Sequence, residues 1–307
     1  MPARRTIAAL ALALLAGPLA GCGGGDDPHA GAPSPAGDAA WTTIATVDGA
    51  SLARLTLSEG SHAYLQRIDL RRMRIDQVTG DRDPGSAPEA GRYYRGADSP
   101  RFVRIPAAQA QHACETAYGR GVFSVVNFAF FEEYDRSTRL SFPVKSRGTL
   151  LTAGSSPYGP VANPSDPYYR GVTLQALTWT GSGATIGSYD PNDGAPLRDP
   201  AVADGIVTYA YRDHPSYVLN HDPPNRYQLL ALSDPQHLLI LTLEHSTLDT
   251  GADLLRTQGV AGKILTFDGG ISTYLWQSTL GGLVPITNGD GALPHYLCVA
   301  ASTGPGS

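Results

Sequence analysis

Two apolar runs lie almost back to back in the second half of the chain: Arg226-Tyr-Gln-Leu-Leu-Ala-Leu232 and His237-Leu-Leu-Ile-Leu-Thr-Leu-Glu244. Only the turn-forming group Ser233-Asp234-Pro235 and one glutamine separate them. Apolar runs joined by turn chemistry predict a β-hairpin, which commits this part of the chain to a sheet. Strand-like runs also recur at 62–70, 74–78, 122–126, 148–153, 172–179, 207–211, 263–267, 272–277, 283–286 and 296–300.

Helical spacing shows in two places. After Ile105-Pro106, with proline suited to a first helical position, Ala107, Ala110 and Ala113 or Cys114 recur until Tyr118-Gly119. Thr250-Gly-Ala-Asp253 has the capping-box pattern and continues through Leu254 and Leu255 to Gly259. The expected fold class is therefore α/β, mixed and sheet-rich: a single domain over 41–303 with a mixed β-sheet core, two main helices and long surface loops. The loops at 155–169 and 187–204, rich in Pro, Gly, Asn and Asp, are long enough to act as rims or lids.

The first residues are a targeting segment. Arg4 and Arg5 precede an apolar run at 7–15, and Leu19-Ala-Gly-Cys22 follows. A basic start, a short apolar core and a small-residue cleavage site describe a secretory signal over 1–21, too short for a spanning helix. Its ending resembles the bacterial lipobox, which makes Cys22 the lipidated first residue of the mature protein. Residues 22–40 are mostly Gly, Pro, Ala and Asp and form a flexible tether. The expected location is the bacterial cell envelope, lipid-anchored and facing the periplasm or the exterior, with the membrane as a partner through Cys22.

The net charge is −5, and removal of the signal takes away two arginines and no acid. A mildly acidic domain argues against a nucleic-acid partner. Cys114 and Cys298 would remain in an oxidising compartment, where they form either a disulfide or two buried thiols. Neither has the spacing of a redox motif or a structural zinc site.

Several chemistries lack their motif. There is no Gly-x-Ser-x-Gly elbow, no His-Glu-x-x-His and no Walker loop, and Gly181-Ser-Gly-Ala-Thr-Ile-Gly187 misses the dinucleotide spacing by one residue. No cofactor is expected. Asn288-Gly-Asp-Gly291 is either a tight turn or a loop that could hold a calcium ion.

Two polar clusters interrupt the apolar strands. In Lys263-Ile-Leu-Thr-Phe-Asp-Gly-Gly-Ile-Ser-Thr-Tyr-Leu-Trp-Gln277, a strand stops at Asp268-Gly269-Gly270 and resumes at Ser272. The turn is either plain hairpin chemistry or a carboxylate, open amides and two hydroxyls (Ser272, Thr273) set on a rigid element. Asn127 ends the run at 122–126 and precedes Phe128-Ala-Phe-Phe131 and Glu132. Its amide either ties down the following loop or serves a site. Arg226, where its strand begins, is either a surface ion-pair partner or a clamp for an anion.

The ordered set is more specific than its parts. Asn127-x-x-Phe-Phe131, a strand opening with Arg226, Thr250-x-x-Asp-Leu-Leu255 and Phe267-Asp-Gly-Gly-x-Ser-Thr273 resembles, in that order, the phosphodiester glycosidase family. The resemblance runs from Tyr64 to Val299. It implies a hydrolase that cleaves a sugar-1-phosphodiester or a related glycoconjugate, with a glycan or sugar phosphate as substrate. By that resemblance Asp268, Asn127 and Arg226 are catalytic, with Glu132 the candidate acid beside them, and Gly269, Gly270, Ser272 and Thr273 bind substrate. Glu132 stands where the family has Asp, Phe128 where it has Gly, and Ile271 where it commonly has Gly. Those departures motivate the alternative of a glycan-binding lipoprotein without activity. A metal-dependent phosphodiesterase using Asp268 and Asp290 is the third reading.

Overall fold

The computed structural model describes residues 40–302; the signal segment, Cys22 and most of the tether lie outside the described residues. The longer strands are β1 (Thr42–Val47), β2 (Ala50–Thr56), β3 (His62–Asp69), β4 (Met73–Thr79), β5 (Val122–Asn127), β6 (Val144–Ser146), β7 (Thr149–Thr152) and β8 (Gln175–Thr180). They continue as β9 (Gly183–Ser188), β10 (Asp204–Ala210), β11 (Asn225–Asp234), β12 (His237–Ser246), β13 (Ile264–Phe267), β14 (Leu275–Gln277), β15 (Gly281–Val284) and β16 (His295–Ala301). The α-helices among the described residues are α1 (Ala107–Tyr118), α2 (Pro215–Val218) and α3 (Leu248–Arg256).

An eleven-stranded sheet runs β1-β2-β3-β12-β11-β13-β10-β6-β7, with β8 paired to β10 and β9 to β8. A five-stranded sheet runs β15-β14-β5-β16-β4. Every pairing among the described strands is antiparallel. This corrects the expected mixed core. Parallel neighbours need crossover connections, typically through a helix, and neither long helix here joins two neighbouring strands of one sheet. The domain is sheet-dominated, with helices laid on its outer faces.

The two sheets pack face to face, and alternation along each strand assigns its side chains. On β12, Leu238 and Ile240 enter the core shared by the sheets, while Leu239, Leu241 and Leu243 pack beneath α3. On β16, Leu297 and Val299 face the shared core, while Tyr296, Cys298 and Ala300 pack against α1. Burial on both faces is why these strands read as unbroken apolar runs.

The β11–β12 hairpin forms as predicted. The hairpin of β1 and β2, turning at Asp48-Gly49 with Gly49 at φ 89°, lies in a stretch to which the sequence reading assigned nothing. Helix α3 begins three residues earlier than its expected capping box. Thr247 Oγ1 accepts from Thr250 N at 3.1 Å, and the Asp222 carboxylate accepts from Leu248 N and Asp249 N at 2.7 and 2.8 Å. Those three first-turn donors are satisfied without Asp253, which pairs with Arg256 instead. Pro106 caps α1 rather than entering it.

The stretch at 263–277 is not a hairpin. Strand β13 belongs to the large sheet and β14 to the small one, so Asp268-Gly269-Gly270 carries the chain from one sheet across to the other.

Candidate functional site

The turn is built from both sheets. Asp268 N donates to Phe128 O at 3.0 Å, and the chain then closes a 3-10 turn over Gly270–Ser272. Asn127 supplies the lock. Its Nδ2 donates to Asp268 O at 2.5 Å, and its Oδ1 accepts from Tyr274 N at 2.8 Å and from Gln228 Nε2 at 2.7 Å. Gln228 Oε1 in turn accepts from Thr242 Oγ1 at 2.7 Å. Thr242, Gln228 and Asn127 are all buried. A fully satisfied polar chain thus runs through the core from β12 to the turn, where unpaired groups would be costly. Asn127 spends its amide on protein partners and positions the turn.

The glycines answer to close approach. A Cβ on Gly269 would stand 2.8 Å from Arg226 O, so the start of β11 can lie against the turn only with glycine there. Gly270 has φ 61°, in the left-handed region that favours glycine. Arg226 donates through Nη1 to Pro285 O at 2.9 Å and forms no salt bridge among the described residues, leaving most of its donors for another acceptor.

Asp268 itself keeps partial access to solvent. Burial pushes its carboxyl up to about 7, with the Ser272 hydroxyl and Gly269 N–H offsetting part of the cost. Ser272 also shares a hydrogen bond of 2.9 Å with Tyr134 Oη. The Asp268 charge and burial both raise the phenol of Tyr134, burial more strongly. Ser272 and Thr273 are fully buried, so in this conformation they shape the turn and do not face a ligand.

Asn127, Arg226, Asp268, Gly269, Gly270, Ser272 and Thr273 therefore meet around one turn. Glu132 does not join them. Its Oε1 accepts from Ser155 Oγ at 2.7 Å, and its charged neighbours are Glu133, Arg139 and Glu89; burial raises its carboxyl. The loop after Phe131 turns Glu132 toward Ser155 and brings Tyr134 to the turn instead. Phe128 lies in the core, stacked on Phe267 with ring centroids 3.8 Å apart. Ile271 is half exposed at the turn's surface.

The Asn288 turn is structural. Both carboxylate oxygens of Asp290 accept from Arg104, at 2.8 and 2.6 Å. Asn288 Oδ1 accepts from Gly291 N at 2.7 Å and its Nδ2 donates to Ala292 O at 3.1 Å. Cys114 and Cys298 are free buried thiols facing each other between α1 and β16, and burial together with the Cys114 contact raises Cys298. Two grooves, of about 500 and 340 Å³, lie elsewhere; the larger is lined by Asp76, Cys114, Tyr118 and Arg147, and neither includes Asp268.

Sequence reasoning missed Tyr134, Arg104 and Gln228 as parts of this assembly. Only Gln228 left a trace, as an amide inside an otherwise apolar strand run. Tyr134 and Arg104 sit in loops, where no period marks them.

No family model and no curated protein matches the chain. Among solved structures, the catalytic domain of zebrafish N-acetylglucosamine-1-phosphodiester alpha-N-acetylglucosaminidase, auto-inhibited by its pro-peptide, is similar with TM-score 0.52 and 11% identity. The match covers 87% of this chain and 86% of that one. A hypothetical protein from Synechocystis is similar with TM-score 0.50 and 12% identity, over 87% of this chain and 65% of that one. At such identities the likeness is one of fold.

Proposed function

We propose that the protein is a hydrolase of sugar-1-phosphodiesters and that Asp268 is its general base. One observation carries the reading: a carboxyl raised to about 7 by burial sits on a rigid inter-sheet turn, and the backbone of Arg226, whose guanidinium has donors to spare, packs against that turn at Gly269. A base is most effective when its pKa lies near the working pH. Above about 7 the ionised Asp268 can take a proton from water as that water attacks the anomeric carbon. The bond from that carbon to the phosphate oxygen breaks, and the phosphate leaves as an anion. Such a leaving group needs little protonation, so the reading demands no second carboxylate and is consistent with Glu132 lying apart. Arg226 suits the phosphate charge, as a planar fork of donors matches its oxygens.

The fold likeness to a phosphodiester glycosidase domain supports the same reading. The amino-terminal signature supports a lipid anchor on Cys22 and a place in the cell envelope, which a mass spectrum of the membrane-extracted protein would check.

The test is turnover of methyl N-acetyl-α-D-glucosaminyl phosphate. Activity is expected to rise with pH through about 7 and to fall by 10²–10⁴-fold in Asp268→Asn. In ¹⁸O-water the label should enter the sugar. Label in the phosphate would mean attack at phosphorus, and unchanged turnover in Asp268→Asn would remove Asp268 from the chemistry.

A further inference from the structure

Tyr134 is held more firmly than an exposed loop tyrosine needs to be. Its hydroxyl is tied to Ser272 at 2.9 Å, and Phe131 meets its ring at 74° with centroids 5.0 Å apart. The Arg104 guanidinium lies over the ring, 5.6 Å from its centroid. Arg104 is itself buried. It binds both Asp290 oxygens and the carbonyls of Tyr134, Asp135 and Ala292, so the loop carrying the ring is pinned through its own backbone. With all these contacts made, 48% of Tyr134 is still exposed, as is 50% of Ile271, the residue that precedes Ser272 in the turn.

A fixed aromatic ring presented to solvent beside a carboxyl has a chemical use. Its negative face attracts weakly positive hydrogens, such as the axial C–H groups on one side of a pyranose, and its loss of freedom has already occurred in the free protein. We propose that Tyr134 is the stacking wall against which the substrate's sugar ring is held, with Asp268 at its edge and Ile271 extending the apolar rim. This deepens the hydrolase reading and rests on it for the identity of the sugar's neighbour, not for the stacking itself. Phosphate would then fall to Arg226 and the sugar to Tyr134, which separates the two halves of recognition.

The test separates binding from turnover. Binding of methyl N-acetyl-α-D-glucosaminyl phosphate is measured by calorimetry in Asp268→Asn, alone and combined with Tyr134→Phe or Tyr134→Leu. The Phe variant should stay within about twofold, because the ring remains; the Leu variant should bind about tenfold more weakly. With the native aspartate restored, Tyr134→Leu should raise KM while leaving kcat within about twofold, the mark of binding shared by ground and transition states. Melting curves confirm that each variant is folded. If the wild type binds through Tyr134 without turnover, the stacking assignment stands and the hydrolase reading fails. Equal binding by the Leu and parent proteins overturns the assignment, whether or not turnover is seen, and so does a parent protein that binds no diester at all.

Discussion

Replacing Asp268 by Asn should stabilise the protein at neutral pH while disabling it. The carboxyl ordinarily titrates at 3.8, and in the fold burial moves it to about 7. Between those values the folded state binds a proton that the unfolded state has released, so stability falls as pH rises through the interval. Each pH unit is about 1.4 kcal/mol, and an interval of about 3 units gives roughly 4 kcal/mol above pH 7. Solvent screening of a residue that the fold leaves partly open brings the expectation to about 2–4 kcal/mol.

His295 and His214 act in the opposite sense. Burial holds them down at about 3 and about 4, so they add stability as pH rises toward their ordinary 6.5. The wild-type profile alone is therefore a compensated curve, and the difference between the two proteins isolates Asp268. Urea unfolding followed by tryptophan fluorescence at pH 4.5, 6 and 8 measures it. The advantage of Asp268→Asn should be about a quarter of its full size at pH 4.5, grow through pH 6 and reach its plateau above 7. A difference that stays constant across the series would falsify the assignment of a buried, displaced carboxyl.

Three further outcomes are expected. Asn127→Ala strips partners from Tyr274 N, Gln228 Nε2 and Asp268 O inside the core; the loss should be about 3 kcal/mol, seen as a fall of about 6–12 °C in Tm. Gly269→Ala sets a methyl 2.8 Å from Arg226 O, which should cost about 1–3 kcal/mol and displace the turn enough to abolish activity. In a Cys22→Ser protein, Ellman's reagent should find no reactive thiol in the native state and both Cys114 and Cys298 after unfolding, since both are buried away from the reagent; none after unfolding would mean a disulfide.

The sheet-rich character and the site's constituents were legible because they are written locally. The β11–β12 hairpin announces itself through turn residues between apolar runs, and Asp268-Gly269-Gly270 through a break in one. Direction of pairing is not local: nothing in the strand at 264–267 says that its neighbours run antiparallel, or that 275–277 belongs to another sheet. Nor could spacing separate Glu132 from Tyr134. The two lie two residues apart, and which of them meets Ser272 depends on Arg104, drawn in from a distant part of the chain. The start of α3 is set partly in the same way: two of its first-turn donors are met by Asp222, over two dozen residues away, beside the local cap from Thr247.

Because the turn leaves one sheet and enters the other, Asp268 rides on a bridge between two separately hydrogen-bonded plates. Arg226 springs from the larger plate and donates to Pro285 O at the edge of the smaller, whereas Tyr134 is held by a loop trailing from the smaller. The reach from the start of β11 to that edge is thus a gauge of how the plates sit on each other. Core side chains remote from the turn, Leu230 and Leu297 among them, set that spacing. A change of one methylene there would be felt at Asp268 as a shift of the bridge that carries it.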